Sequence, residues 1–339
     1  MNKKINIALV GCGKIGKKHA RIIQNNNQFN LVAIVDTKKN FEISDNLLSI
    51  PFFYNLRELS QSDVKVEVAV IATPNNFHSI NAIECLDNGY HIIIEKPMAL
   101  NKLQAEKIIS KSIKVNKNVF IVMQNRFSPP LNWLKGIMKK NLLGKIYIVQ
   151  LSCFWNRDDR YYENHSWHGK KDLDGGTLFT QFSHFIDLLY WLFGDIRNIV
   201  AKLKNFNHTK YIQFEDTGFI TFDFINGGSG SINYTTSVMD KNFESSLNII
   251  AENGTIKISG QYMNKLEYCK IKNYESPNFS YNDVIDKHSL YTDKPENHYY
   301  IYENVIDVLN NNAEIKTNAK EGMKVTEIIE KIYQAGNYK

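Results

Sequence analysis

The sequence predicts an α/β domain built on a parallel sheet, followed by an α+β domain built on a large, open, mostly antiparallel sheet. Three observations lead there. Up to about residue 123, short β-branched runs alternate with helical stretches, the order that a parallel sheet covered on both faces requires. The first of these runs opens into a glycine-rich turn and a helix. After residue 195 the runs follow one another without helices between them, as successive antiparallel strands do. The expected domains are residues 1–123 and 124–339.

Ile5–Val10 is short, apolar and β-branched enough for a buried strand. Gly11-Cys12-Gly13-Lys14-Ile15-Gly16 follows directly, and a helix runs on through His19, Ala20, Ile22 and Ile23. A second strand over residues 31–35 ends in Asp36. Each piece has a physical task in a Rossmann-type dinucleotide site. Gly11 permits the tight turn, Gly13 lets a pyrophosphate approach the backbone, and Gly16 lets the helix pack on the strand. The helix start at Lys14 and Ile15 offers unpaired N–H groups and a positive dipole end to phosphates. Asp36 lies where a carboxylate accepts hydrogen bonds from the adenosine ribose, and it repels a 2′-phosphate. NAD is therefore expected over NADP, with Lys38 and Lys39 weighing against that preference.

The alternation continues with a strand over 66–72, which ends in Thr73-Pro74-Asn75-Asn76-Phe77-His78 before the next helix. Asn88-Gly89 caps that helix. The strand His91–Ile94 ends in Glu95-Lys96-Pro97, and a strand over 119–123 leads into Gln124-Asn125-Arg126-Phe127. Ligands of parallel sheets bind beyond the carboxyl ends of the strands. Thr73, Pro74, Asn75, His78, Glu95, Lys96 and Gln124 are accordingly expected beside the cofactor. A surface ion pair is the bland reading of Glu95-Lys96. Position favours another: a lysine here can hydrogen-bond a substrate hydroxyl near the nicotinamide, with Glu95 holding it.

Ser128-Pro129-Pro130 marks a break, and residues 131–140 read as an amphipathic helix. Strands are expected over 146–155, 196–203, 217–225, 230–237, 247–251 and 255–259, with a hairpin turn at Asn226-Gly227-Gly228. Helices over 299–309 and 323–333 close the chain. Gly175-Gly176 precedes an apolar helix on which Thr180, Gln181, His184 and Asp187 fall at spacings of three and four, so that they can share one stripe. Histidine on an apolar helix is often a satisfied core residue. Here Asp187 lies one turn on, able to orient the ring, and imidazole titrates where a general base must.

The chain has 339 residues, 43% hydrophobic and 22% charged, with a formal net charge of +6, enough for two substantial cores. The charge is spread and interleaved with acids, so neither nucleic acid nor a membrane is expected as partner. No apolar run approaches the ~20 residues that span a bilayer. Residues 1–4 run straight into the first strand without a signal-peptide core, and Cys12, Cys85, Cys153 and Cys269 form no C-x-x-C pair. These features predict a cytoplasmic protein with reduced thiols and no metal site. Residues 271–298 carry no readable motif and are expected as a surface loop.

The glycine turn, Ala72-Thr73-Pro74-Asn75 and above all Glu95-Lys96-Pro97 resemble the glucose-fructose oxidoreductase/inositol dehydrogenase (Gfo/Idh/MocA) family. That family carries Asp, then His four positions later, then Asp three beyond; here Thr180 replaces the first Asp, while His184 and Asp187 match. The chain is more similar to the branch of UDP-N-acetyl-2-amino-2-deoxyglucuronate (UDP-GlcNAcA) 3-dehydrogenases. That likeness rests on Gln124-Asn125-Arg126, 153–157 (Cys-Phe-Trp-Asn-Arg), Tyr161-Tyr162, Trp167-His168-Gly169, 173–176, 181–189, 215–218 and 252–255.

The resemblance implies NAD-dependent oxidation of the 3-hydroxyl of a UDP-linked N-acetylated glucuronic acid, serving surface polysaccharide. It implies Lys96 and His184 as catalytic residues, with Lys96, Arg126, Tyr161, Trp167, Thr180, Gln181 and His184 contacting substrate, and Arg126 as the anion partner. It also implies a homotetramer, in line with the open sheet face such a domain leaves to be covered. Two alternatives stay open: another nucleotide-linked sugar as substrate, or a sugar sensor that keeps NAD without turnover.

Overall fold

The computed structural model describes residues 4–38, 47–163, 167–277, 279, 297–310 and 313–337. These fall into two compact units. One comprises Met1–Val122 with Ile301–Thr326, the other Met123–Tyr300 with Glu327–Lys339.

The first unit is a parallel sheet of six strands. These are β1 (Ile5–Val10), β2 (Phe29–Val35), β3 (Phe52–Phe53), β4 (Val68–Ile71), β5 (His91–Ile94) and β6 (Val119–Ile121), in the spatial order β3-β2-β1-β4-β5-β6. The central strands are apolar where both faces are covered: Ile7, Ala8 and Leu9, like Val68, Ala69, Val70 and Ile71, are fully buried. The order reverses between β1 and β4, which opens the crevice at the strand ends where such sheets bind ligands.

Helices α1 (Lys14–Asn25), α2 (Leu56–Ser60), α3 (His78–Asp87) and α4 (Lys102–Val115) connect the strands. Helix α4 is missing from the sequence expectation, although its ends are encoded. Asn101 accepts from the Gln104 N–H at one end, and Asn116 stops it at φ 50° at the other. β3 and α2 were also unforeseen, because elements this short show no period. Residues 301–326 return to this unit: Ile121 donates its N–H to the Thr317 carbonyl, and Tyr302 is fully buried.

The second unit centres on a seven-stranded sheet. Its strands are β7 (Ile146–Phe154), β8 (Ile196–Lys204), β9 (Thr217–Phe224), β10 (Ser229–Thr235), β11 (Glu244–Ala251), β12 (Gly254–Ser259) and β13 (Lys265–Ile271). The order is β13-β12-β11-β7-β10-β9-β8. Every pairing is antiparallel except the central one between β7 and β10. β13 is an addition to the expected strands.

Period-two alternation buries one face, with Val149, Leu151 and Cys153 of β7 beside Ile232 and Tyr234 of β10 and Ile220, Phe222 and Phe224 of β9. The other face exposes Ile148, Phe219 and Ile250. Gly227 and Gly228, at φ +99° and +85°, make the turn between β9 and β10.

Helices α5 (Pro129–Lys139), α6 (Asp159–Tyr162), α7 (Lys171–Asp174) and α8 (Ser183–Phe193) belong to this unit. Phe185 and Phe193 of α8 pack on Trp155 and Phe224. The expected single helix from 178 onward is split: Leu178–Phe182 form a π turn before α8 begins. An extra residue per turn breaks the phase between Thr180 or Gln181 and the rest of the expected stripe. The stretch 271–298 lies for the most part outside the described residues.

Candidate active site

The glycine loop shows why each glycine is there. Gly11 sits at φ +90°, and a Cβ on it would lie 2.7 Å from the Ala72 carbonyl oxygen. A Cβ on Gly16 would overlap the Gly11 carbonyl at 2.0 Å. Gly13 differs: a Cβ there meets nothing within 4 Å. Gly11 and Gly16 therefore serve the fold, and Gly13 faces open space of the kind a pyrophosphate needs. Gly13 is also the N-cap of α1, with no side chain capping the helix, so the N–H groups of the first turn point outward without helical acceptors. Lys14 and Ile15 open that turn, and Ile15 is exposed there.

Asp36 lies beside the same loop. One carboxylate oxygen accepts from the Cys12 N–H at 2.7 Å, and the other accepts from the Lys38 N–H. Burial, reinforced by Asp36, pushes the Cys12 thiol up to about 11, so that this cysteine is no nucleophile at neutral pH. The loop, the uncapped helix start and the carboxylate fit an adenine dinucleotide without a 2′-phosphate.

Two histidines tie the strand ends together. His78 is buried and bridges two backbone carbonyls: Nδ1 lies 2.7 Å from the Pro97 oxygen and Nε2 lies 2.8 Å from the Thr73 oxygen. Both contacts are filled at once only by the protonated ring. Burial opposes that charge and holds the pKa below the usual range, against the pull of the two carbonyls. Thr73 accepts at its hydroxyl from Asn81, and Asn75 is buried at the start of the turn that Pro74 caps.

His19, on α1, bridges the buried Glu95 carboxylate at 2.9 Å and the Tyr302 hydroxyl at 2.8 Å. The second Glu95 oxygen accepts from the Lys96 N–H at 3.1 Å. Glu95 thus anchors the backbone that carries Lys96, and the pyrophosphate helix is connected to it through His19. Sequence reasoning used His19 only as a helical position; its signal was a histidine on the buried face of a dinucleotide helix.

In the second unit, Gln124 and His184 meet, with Gln124 Nε2 at 3.1 Å from His184 Nε2. The sequence placed Gln124 beside the cofactor; the structure places it against the histidine. Arg126 is buried and forms a two-point ion pair with buried Asp187, Nε at 2.8 Å and Nη2 at 2.5 Å. Its guanidinium also lies 5.4 Å from the Trp191 ring. Asp187, expected to orient His184, gives both oxygens to Arg126, and Arg126, expected to meet a substrate anion, is charge-paired within the protein.

The π turn sends its polar residues two ways. Thr180 donates to both the carbonyl and the carboxylate of buried Asp174. Gln181 donates through Nε2 to the Tyr161 hydroxyl at 2.7 Å and accepts from Arg157 Nε at 2.7 Å. His168 stacks on Tyr161 at 4.3 Å between ring centroids, and Trp167 packs edge-on to His168. Beneath the turn, buried Glu215 accepts at one oxygen from Tyr234 and Tyr333, and the Tyr333 hydroxyl accepts from the Leu178 N–H. Desolvation raises the Glu215 carboxyl to about 7. Arg157 and Glu215 were absent from the sequence-derived site. The first sits in the Trp155-Asn156-Arg157 run just past β7, and the second in Glu215-Asp216-Thr217.

Two family models match, an NAD-binding Rossmann oxidoreductase domain over residues 5–123 and the GFO/IDH/MocA C-terminal domain over residues 132–257. The chain belongs to the Gfo/Idh/MocA family of NAD-binding oxidoreductases. Within that family it is similar to the WlbA dehydrogenase of Bordetella pertussis, solved in complex with NADH and UDP-GlcNAcA. The two share 29% identity at a TM-score of 0.88, over 99% of this chain and 96% of the other. The WlbA dehydrogenase of Chromobacterium violaceum, with the same two ligands, is 28% identical at a TM-score of 0.87, over 99% and 95%. Among curated relatives, the uncharacterized oxidoreductase sll0816 of Synechocystis sp. is 25% identical over 68% of this chain and 66% of its own. The chain matches no more than 66% of the length of the first of these curated relatives.

Proposed function

We propose that the protein oxidises the C3 hydroxyl of UDP-GlcNAcA to the 3-keto sugar, as a step in making a nucleotide sugar for surface polysaccharide. The observation that carries this reading is the likeness, along nearly the whole chain, to two dehydrogenases solved with NADH and UDP-GlcNAcA. When bound, NAD supplies the hydride acceptor. Gly11, Gly13 and Gly16 shape its loop, Lys14 and Ile15 open the helix that faces its phosphates, and Asp36 takes its ribose. Thr73, Pro74, Asn75, His78 and Glu95 form the strand ends beside it. In this reading His184 removes the hydroxyl proton. The Lys96 ammonium hydrogen-bonds the same oxygen and steadies its developing charge. Tyr161, Trp167 and Gln181 contact the sugar, while Thr180 and Arg126 hold their neighbours Asp174 and Asp187 in place.

The test follows nicotinamide absorbance with NAD and UDP-GlcNAcA. A UDP-GlcNAcA-dependent rise is expected, and Lys96→Ala and His184→Ala should each lower turnover by about 10²–10⁴-fold while NAD binding persists. No keto sugar even with 2-oxoglutarate added as a second oxidant would end the substrate assignment; full turnover in both variants would end the residue assignments. The same reading makes the protein a cytoplasmic homotetramer associating through the open face of the second unit's sheet. Among the described residues no helix is long and apolar enough to cross a membrane.

A further inference from the structure

Arg157 follows β7, and its hydrogen-bond and ring partners are neutral. Its Nε donates to Gln181 Oε1 at 2.7 Å, and Nη1 donates to the Asn156 carbonyl at 2.5 Å and to Asn242 Oδ1 at 3.2 Å. The guanidinium lies 4.9 Å from the Trp155 ring centroid and 5.3 Å from that of Tyr161. Among the described residues no carboxylate hydrogen-bonds or pairs with it. The nearby acids are engaged elsewhere: Asp158 with Arg160, and Asp174 with Thr180 and the Gly169 N–H. Desolvation lowers the Arg157 pKa, with only tyrosines acting against it. Arg126, by contrast, has its acid in Asp187.

A partly buried cation without a counter-charge in the protein leaves an anion to complete it. Arg157 is only partly buried, and among the described residues its Nη2 makes no hydrogen bond. We propose that Arg157 binds the carboxylate of the sugar and selects the acidic nucleotide sugar over its neutral counterpart. This rests on the reading of the substrate as a UDP-linked uronic acid. The carboxylate is favoured over the diphosphate by position. Arg157 is held by Gln181 and lies over the Tyr161 ring, and both of these residues contact the sugar in that reading, so the anion it meets belongs to the sugar.

The experiment compares wild type, Arg157→Gln and Arg157→Lys by calorimetry with UDP-GlcNAcA, UDP-GlcNAc and UDP, and by kcat/KM with the two nucleotide sugars. UDP-GlcNAc replaces the carboxylate by a hydroxymethyl group, and UDP carries the diphosphate alone. Arg157→Gln should bind UDP-GlcNAcA about 10–100-fold more weakly and leave UDP-GlcNAc and UDP binding unchanged. Arg157→Lys should fall between, keeping the charge and losing the fork. Melting temperatures equal to wild type exclude misfolding as the cause; should Arg157→Gln not fold, the lysine variant carries the comparison. A wild-type preference for the acid that survives in the variants overturns the role of Arg157 alone. Equal weakening of all three ligands assigns the arginine to the diphosphate and overturns it too. A wild type indifferent to the carboxylate overturns this proposal and the substrate assignment together.

Discussion

Glu215 shows how a buried acid can shape a site without touching it. Its oxygen gathers the Tyr234 and Tyr333 hydroxyls beneath the π turn that carries Thr180 and Gln181. Its folded pKa, about 7, stands above the ordinary 4.5 because burial penalises the charge more than the two hydroxyls favour it. The folded state therefore holds this proton more tightly than the unfolded chain. The stability it contributes is complete below pH 4.5 and declines as pH rises through about 7. Thermal melts from pH 4.5 to 8 should show that decline in wild type and a flatter curve in Glu215→Gln, which keeps the shape and cannot ionise. Parallel curves would mean that Glu215 does not titrate there. Arg126 and Asp187 teach the complementary lesson: two residues assigned separately to substrate and base turn out to neutralise each other.

At the scale of elements, the glycine turn separates two needs that share one motif. Gly16 is packed against the Gly11 carbonyl, whereas Gly13 faces open space. Gly13→Ala should leave the melting temperature of the cofactor-free protein close to wild type and strongly weaken NAD binding, because only the approach of a phosphate is obstructed. Gly16→Ala should lower both, because the clash lies inside the protein. Fluorescence titration with NADH, set beside thermal melts, separates the two; equal melting losses in both variants would contradict this division. The π turn is the element that most changes the site, since it turns Gln181 toward Arg157 and Tyr161 and leaves His184 to meet Gln124.

For the whole molecule, the second unit's sheet has one covered face and one open one. Ile148 and Ile250 lie directly opposite each other on adjacent strands, 51% and 44% exposed, an arrangement that favours burial by another subunit. Sedimentation of wild type should give a tetramer, and Ile148→Glu should shift it toward smaller species at unchanged secondary structure. A monomeric wild type would remove the proposed assembly.

Much of this was legible in the sequence, for a physical reason. Strand–glycine turn–helix–strand–acid is a local code, in which each residue acts through its own backbone or nearest neighbours, so Gly11, Gly13, Gly16 and Asp36 could be read in place. The succession of β-branched runs likewise declared a parallel sheet first and an antiparallel one later. Elements without a long apolar period, such as β3 and α2, left no comparable trace. Partners far apart in the chain were decided by the tertiary structure alone. Arg126 finds Asp187 across 61 positions, His19 finds Glu95 across 76, and Tyr302 joins them from the far end of the chain. Sequence can name a charged residue at a strand end, but only packing decides whether its counter-charge lies within the protein, as for Arg126, or must come with the ligand, as proposed for Arg157.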